Sequence, residues 1–229
     1  EKVVQALQLM GIGLEEYEYL LNDYAPIESE ALLKEIETAF LKQDKKTLIN
    51  LYKIALEAGY PYISLAAKAS YTELSSENID TITDYLYDIK VWGQTELYVF
   101  YFTMNKLNIR DILYILDLFL LEKKHKIFNS VKHLEIFACA CCRAIAFLTS
   151  KGYQEYSAHI LHRVESLELV QSMFLRNLLN LSKGFWTYRF KDEKTGNTMM
   201  LQALEIFHQI GSQEIARYYQ QQYDFHVKK

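Results

Sequence analysis

FLRNLLNLSKGFWTYRFKDEKTGNTMMLQALEIFHQIGSQEIARYYQQQYDF, residues 174–225, is the stretch whose reading decides the fold. Between Met199 and Ile210 the apolar residues Met199, Met200, Ala203, Leu204, Phe207 and Ile210 recur at intervals of three, four and seven. That is the spacing of one helix face, and Gln202, Glu205 and Gln209 fall on the other. Gly211 predicts the stop, since glycine tolerates the left-handed conformation at a helix C-terminus. Ser212 predicts the N-cap of a following helix, SQEIARYYQQQY. The stretch reads as helix, short break, helix, with no strand pattern between.

The same stretch carries a degraded repeat signature. A tetratricopeptide unit places small residues where its two helices cross, with Gly-x2-Tyr in the first and Ala-x3-Phe in the second. Gly184 takes the first small position, Gly196 and Met200 stand for Ala-x3-Phe, and Ala203 is a further small residue. Thr187 replaces the tyrosine, with Tyr188 beside it, and the closing proline is missing. The match is weak as a motif and stronger as an architecture of antiparallel helical hairpins.

Composition points the same way. The chain has 229 residues, half of them hydrophobic, which supports a large core. Two prolines and eight glycines leave few breaks in the apolar periodicity, as an all-helical protein requires. A net charge of −4 fits poorly with an electrostatic DNA-binding surface. Cys139, Cys141 and Cys142 are odd in number and clustered, so they form no disulfide framework and imply a reducing compartment. Asp117 and Arg143 break the most apolar runs, so no membrane span is expected.

In chain order, residues 1–13 predict a short helix ending at Gly11–Gly13, and GLEEYEYLLNDY (13–24) a second. Pro26 opens a helix that buries Ala31, Leu32, Ile36, Ala39 and Phe40. Lys45–Ala58 pairs with it and ends at Gly59. Pro61 starts the next helix, SSEN (75–78) caps another, and Trp92-Gly93 ends that one. Gly59 and Gly93 stand roughly 34 residues apart, one tetratricopeptide period. Thr95 and Asn108 read as caps of two further helices. The second of these, IRDILYILDLFLLEKK, is apolar nearly all round and carries the polar line Asp111, Tyr114 and Asp117. Ser130 caps VKHLEIFACACCRAIAFLTSK, which ends at Gly152, and YQEYSAHILHRVESLEL follows. About twelve helices joined by short breaks make one undivided right-handed array.

GLEEYEYLLNDY, the segment WGQTEL (92–97) and ALEIFHQIGSQEIARYYQQQYD (203–224) resemble the Rgg/GadR/MutR regulators. The resemblance covers essentially the whole chain through diffuse motifs. It implies a transcription factor of peptide quorum sensing, with an N-terminal helix-turn-helix domain and a tetratricopeptide-like second domain that binds a short imported peptide in its concave groove. It also implies a cytoplasmic homodimer. Residues 1–13 would then be the tail of the DNA-binding domain, which this chain lacks, and 14–229 the peptide-binding and dimerisation domain. DNA would be reached only through that N-terminal domain.

Tyr98, Tyr101, Asn105 and Asn108 recur at helical intervals, and Asn177, Asn180, Gly184 and Tyr188 form a similar line. An asparagine side chain offers a donor and an acceptor, matching a peptide unit, so such lines suit a ligand held through its backbone. The alternative is that they are solvated or capping asparagines, Asn108 in particular. Arg143 is the only charge between Ile136 and Leu148. It either pairs with an acid such as Asp111 or Asp117, or points into a cavity that receives an anion. Arg176, one turn from Asn180, is a second cationic candidate; the alternative is an exposed helix charge. The expected peptide site is therefore Tyr98, Tyr101, Asn105, Arg143, Arg176, Asn177, Asn180 and Tyr188. The three cysteines with His125, His133, His159 and His162 lack a zinc-site loop and read as core packing. There is no phosphate loop, G-x-S-x-G or H-E-x-x-H, so no cofactor and no catalytic set is expected. The competing reading is a helical-repeat scaffold that docks a protein partner and has no transcriptional role.

Overall fold

The computed structural model describes residues 2–13, 16–17, 27–90, 92–120, 131–166 and 172–227. Most of the expected helix over 13–24, together with Pro26, His125 and Ser130, lies outside these residues. Among the described residues there is no strand. The helices are α1 (Lys2–Met10), α2 (Glu28–Leu41), α3 (Lys45–Glu57), α4 (Pro61–Ala69), α5 (Ser76–Asp88) and α6 (Gln94–Thr103). After a 3-10 turn at Met104–Lys106 come α7 (Ile109–Leu120), α8 (Val131–Ser150), α9 (Gln154–Ser166), α10 (Met173–Phe190), α11 (Glu193–Ile210) and α12 (Gln213–Val227). No helix among the described residues is long and apolar enough to cross a membrane.

Alternate helices stack into a row: α4 packs on α6, α6 on α8, and α8 on α10. The helices between them fold back as hairpin partners, α3 on α4, α9 on α8 and α11 on α10. This is the expected array of antiparallel hairpins. The last helix, α12, then returns to α2, where the rings of Tyr218 and Phe40 lie 5.2 Å apart between centroids. The core runs along the row through Leu33, Ile36, Leu97, Phe100, Phe102, Ile145 and Leu148, all buried.

Local chemistry sets the breaks. Asp44, Ser75, Ser172, Asp192 and Ser212 each accept a hydrogen bond from the backbone N–H three residues on. Gly59 and Gly152 close α3 and α8 with φ of 83° and 84°, the left-handed region that glycine enters without strain. Gly211 differs from expectation. Its φ is −85° and its ψ 168°, so it is extended rather than left-handed. A Cβ there would lie 2.6 Å from the Phe207 carbonyl oxygen, so close approach is what favours glycine.

Three boundaries also depart from the periodicity. The break before α11 is only Lys191–Asp192, because the Asp192 cap starts the helix ahead of its apolar stripe. Helix α6 begins at Gln94, with Gly93 rather than Thr95 at its N-cap. Glycine has no side chain to cap with, and the Glu96 carboxylate accepts from the Gly93 N–H at 2.7 Å instead. Helix α6 also ends at Thr103, so Asn105 sits on the 3-10 turn and Asn108 opens α7; the four-residue line is not one helix.

The α10–α11 crossing is the tightest feature. A Cβ on Gly196 would overlap the Tyr188 backbone, and one on Gly184 would lie 2.9 Å from Met200 Cγ. Asn177 is buried here and donates to the Ala203 carbonyl at 2.8 Å, tying the two helices together.

Candidate ligand-binding groove

The half-buried Arg143 guanidinium of α8 lies 4.8 Å from the centre of the Phe40 ring and 4.8 Å from that of Tyr101. Helices α2 and α6 supply those rings, and α12 adds Tyr218 and Tyr219. Burial opposes the positive charge, but the Tyr101 and Tyr218 oxygens outweigh it and hold the guanidinium pKa above its ordinary value. Burial also pushes the Tyr101, Tyr218 and Tyr219 phenols up, so they remain neutral hydrogen-bonding groups. No carboxylate among the described residues lies within salt-bridge distance of Arg143. The expected pair with Asp111 or Asp117 is not formed. Asp111 accepts from the Tyr87 hydroxyl at 2.9 Å, and Asp117 lies 3.6 Å from His159. Both sit on α7, which packs on α5 and α9 rather than on α8.

Arg143 instead lines a cavity of about 280 Å³ between α8, α10 and α12. The apolar wall is Ala146, Phe147, Leu178, Leu181, Phe185 and Met200. Asn105, Ser150, Gln222 and His226 supply polar groups. A second cavity of about 360 Å³ shares Tyr101 and Cys139 with the first and reaches Glu37, Tyr98, Lys132, Glu135 and Phe174. Apolar walls with a few convergent polar groups are the usual chemistry of a ligand site.

Of the eight residues expected from sequence, the structure brings Tyr101, Asn105 and Arg143 to the first cavity and Tyr98 and Tyr101 to the second. Arg176 and Asn180 are exposed on α10 and line neither cavity. Asn177 is taken up by the α10–α11 crossing, and Tyr188 packs against the small cluster of Phe185, Met200, Leu204 and Tyr223. Helical spacing does not single out Glu37, Tyr218, Tyr219, Gln222 or His226. The signal available was the pair of adjacent tyrosines on a helix otherwise rich in glutamine.

Cys139, Cys141 and Cys142 lie along the same α8. Burial raises the Cys139 and Cys141 thiols well above their ordinary value and Cys142 to about 12. Protonated thiols are poor nucleophiles and poor metal ligands. No group of three His, Cys, Asp or Glu residues among those described could hold a metal ion.

The hairpin array defines the class: an all-helical repeat domain of tetratricopeptide type, with two adjoining cavities between its helices. Residues 27–221 match the C-terminal domain of the HTH-type transcriptional regulator Rgg, and the chain belongs to that family. No curated protein sequence matches it. Among solved structures, it is similar to the SHP pheromone receptor Rgg2 of Streptococcus dysgalactiae, at 16% identity and a TM-score of 0.73. That alignment covers 98% of this chain and 84% of the receptor. A cysteine-to-serine variant of Rgg2 superposes with a TM-score of 0.74 at 16% identity, covering 99% and 84%. A Listeria monocytogenes EGD-e protein does so with a TM-score of 0.74 at 16% identity, covering 97% and 81%. At this identity the likeness is one of fold.

Proposed function

We propose that this Rgg C-terminal domain is the sensor of a transcriptional regulator, and that it binds a short signalling peptide in the groove beside Arg143. The observation that carries the reading is Arg143 itself: a half-buried cation, held between two rings, without a carboxylate partner among the described residues, on the wall of a largely apolar cavity. A peptide carboxylate can take the free edge of the guanidinium in two parallel hydrogen bonds. The apolar wall accepts hydrophobic side chains, and Asn105 and Gln222 can serve the peptide backbone. The description of the similar Rgg2 as a pheromone receptor supports the same reading.

Peptide occupancy stabilises one arrangement of α2, α8 and α12 over another, a population shift driven by differential affinity. In a cytoplasmic homodimer that shift passes to a helix-turn-helix domain outside these 229 residues, which contacts DNA. Fluorescence polarisation with synthetic short hydrophobic peptides tests the reading. Saturable binding that weakens in Arg143→Ala is expected; no binding by any such peptide overturns it.

A further inference from the structure

We propose that the groove is two-ended: Glu37 receives an ammonium group of the bound peptide, while Arg143 receives a carboxylate. This rests on the peptide-sensing reading and adds the polarity of the ligand. Glu37 is half-buried on α2 and lines the second cavity, with the Tyr98 hydroxyl donating to it at 3.2 Å. No Lys, Arg or His among the described residues lies within salt-bridge distance of it. Lys34, one turn back on α2, is exposed and acts on it only through its field. Lys132 lines the same cavity but is paired with Glu30 at 3.5 Å. Glu135 adds a second carboxylate at the exposed lip.

The two charges have complementary situations. Each is partly desolvated, each is held by aromatic or phenolic neighbours, and neither has an oppositely charged partner among the described residues. A desolvated charge left without an internal partner costs stability, and a ligand of opposite sign offsets that cost. Tyr101 and Cys139 line both cavities, so the two adjoin, and the proposed ligand spans them. The ammonium can be the peptide's own terminus or a lysine side chain, and both present the same chemistry to Glu37.

The test uses short peptides of Ile, Leu, Val, Phe and Gly in four forms: free termini, N-acetylated, C-amidated, and N-acetylated with one lysine. Affinities for the full chain, Glu37→Gln and Arg143→Gln are read by native mass spectrometry. With a terminal ammonium as the bound group, acetylation weakens binding to the parent by about tenfold, one decade being a modest charge contact. With a side-chain ammonium, only the lysine-bearing form binds tightly. In either case Glu37→Gln abolishes the preference for the ammonium and keeps the penalty for amidation, while Arg143→Gln does the reverse. Glutamine keeps an oxygen for Tyr98, and the acetylation comparison on the parent needs no variant. Peptides that bind parent and Glu37→Gln alike, whatever their ammonium content, overturn the two-ended groove and leave peptide sensing standing. Failure of all four forms to bind overturns peptide sensing and the polarity with it.

Discussion

Arg143 and Phe40 face one another across 4.8 Å, a cation over a ring, with no acid among the described residues completing the pair. The contact joins α8 to α2 and makes Phe40 part of the wall that orients the guanidinium. Removing the arginine therefore strands no carboxylate among the described residues. Arg143→Ala is expected to change unfolding stability by no more than about 1 kcal/mol, the loss of a cation–π contact offset by relief of a desolvated charge. Affinity for a free-carboxylate peptide should fall by about 2 kcal/mol or more. Arg143→Lys keeps charge but not the planar fork and should lie between. Melting temperature and peptide affinity on the same variants check this; a large drop in melting temperature with affinity unchanged would contradict it.

Asn177→Ala should act on the fold instead. Its amide donates to the Ala203 carbonyl in a buried crossing and lines neither cavity. Loss of that hydrogen bond is expected to cost about 1–2 kcal/mol of stability, with peptide affinity as in the parent. Urea unfolding beside a binding titration separates the two effects.

Gly196→Ala should be far worse than Gly59→Ala. The first Cβ collides with the Tyr188 backbone, which cannot swing aside as a side chain would, and overpacking of this kind costs about 3 kcal/mol. The second meets nothing within 4 Å and pays only for its left-handed φ, about 1 kcal/mol. Denaturation midpoints of the two variants give the ranking directly.

Glu37 should impose a pH dependence on stability. Burial raises its pKa above 4.5, partly countered by the Tyr98 hydrogen bond and by Lys34. A carboxyl with a raised folded pKa holds its proton more firmly folded than unfolded, so its contribution declines as pH rises from 4.5 through the folded value. Tyr98, Lys34, Lys132, Glu135 and Cys139 surround it. The lowered pKa values of Asp44, Asp192 and Glu214 act oppositely but are common to parent and variant. Relative to Glu37→Gln, the parent is expected to lose stability as pH rises above 4.5, measured by denaturant unfolding from acid to neutral pH. A flat difference would count against it.

The hairpin array was legible because it rests on local signals: one-face periodicity, Ser75 and Ser212 as caps, and small residues at Gly184 and Gly196. The cap of α6 was not, because Gly93 offers no side chain and Glu96 reaches back from inside the helix. Arg143 stood out as a lone charge in an apolar run, and that run says a cavity or a partner is needed. It cannot say which, since Phe40, Tyr101 and Tyr218 come from helices distant in sequence. Asparagine spacing failed to separate two uses of one face: Asn177 and Asn180 are one turn apart, yet one is locked in a helix crossing and the other faces solvent. Spacing within a helix fixes its faces, whereas inter-helix register decides what each face meets.

The return of α12 to α2 has a consequence for cooperativity. In an open stack of repeats each unit feels only its neighbours, so one end can fray while the other stays folded. Here the contact of Phe40 with Tyr218 ties the last described helix, α12, back to α2, and both rings border the same arginine. Loss of either helix is expected to loosen the other, so that what would be a chain of independent links opens as a loop, in one step.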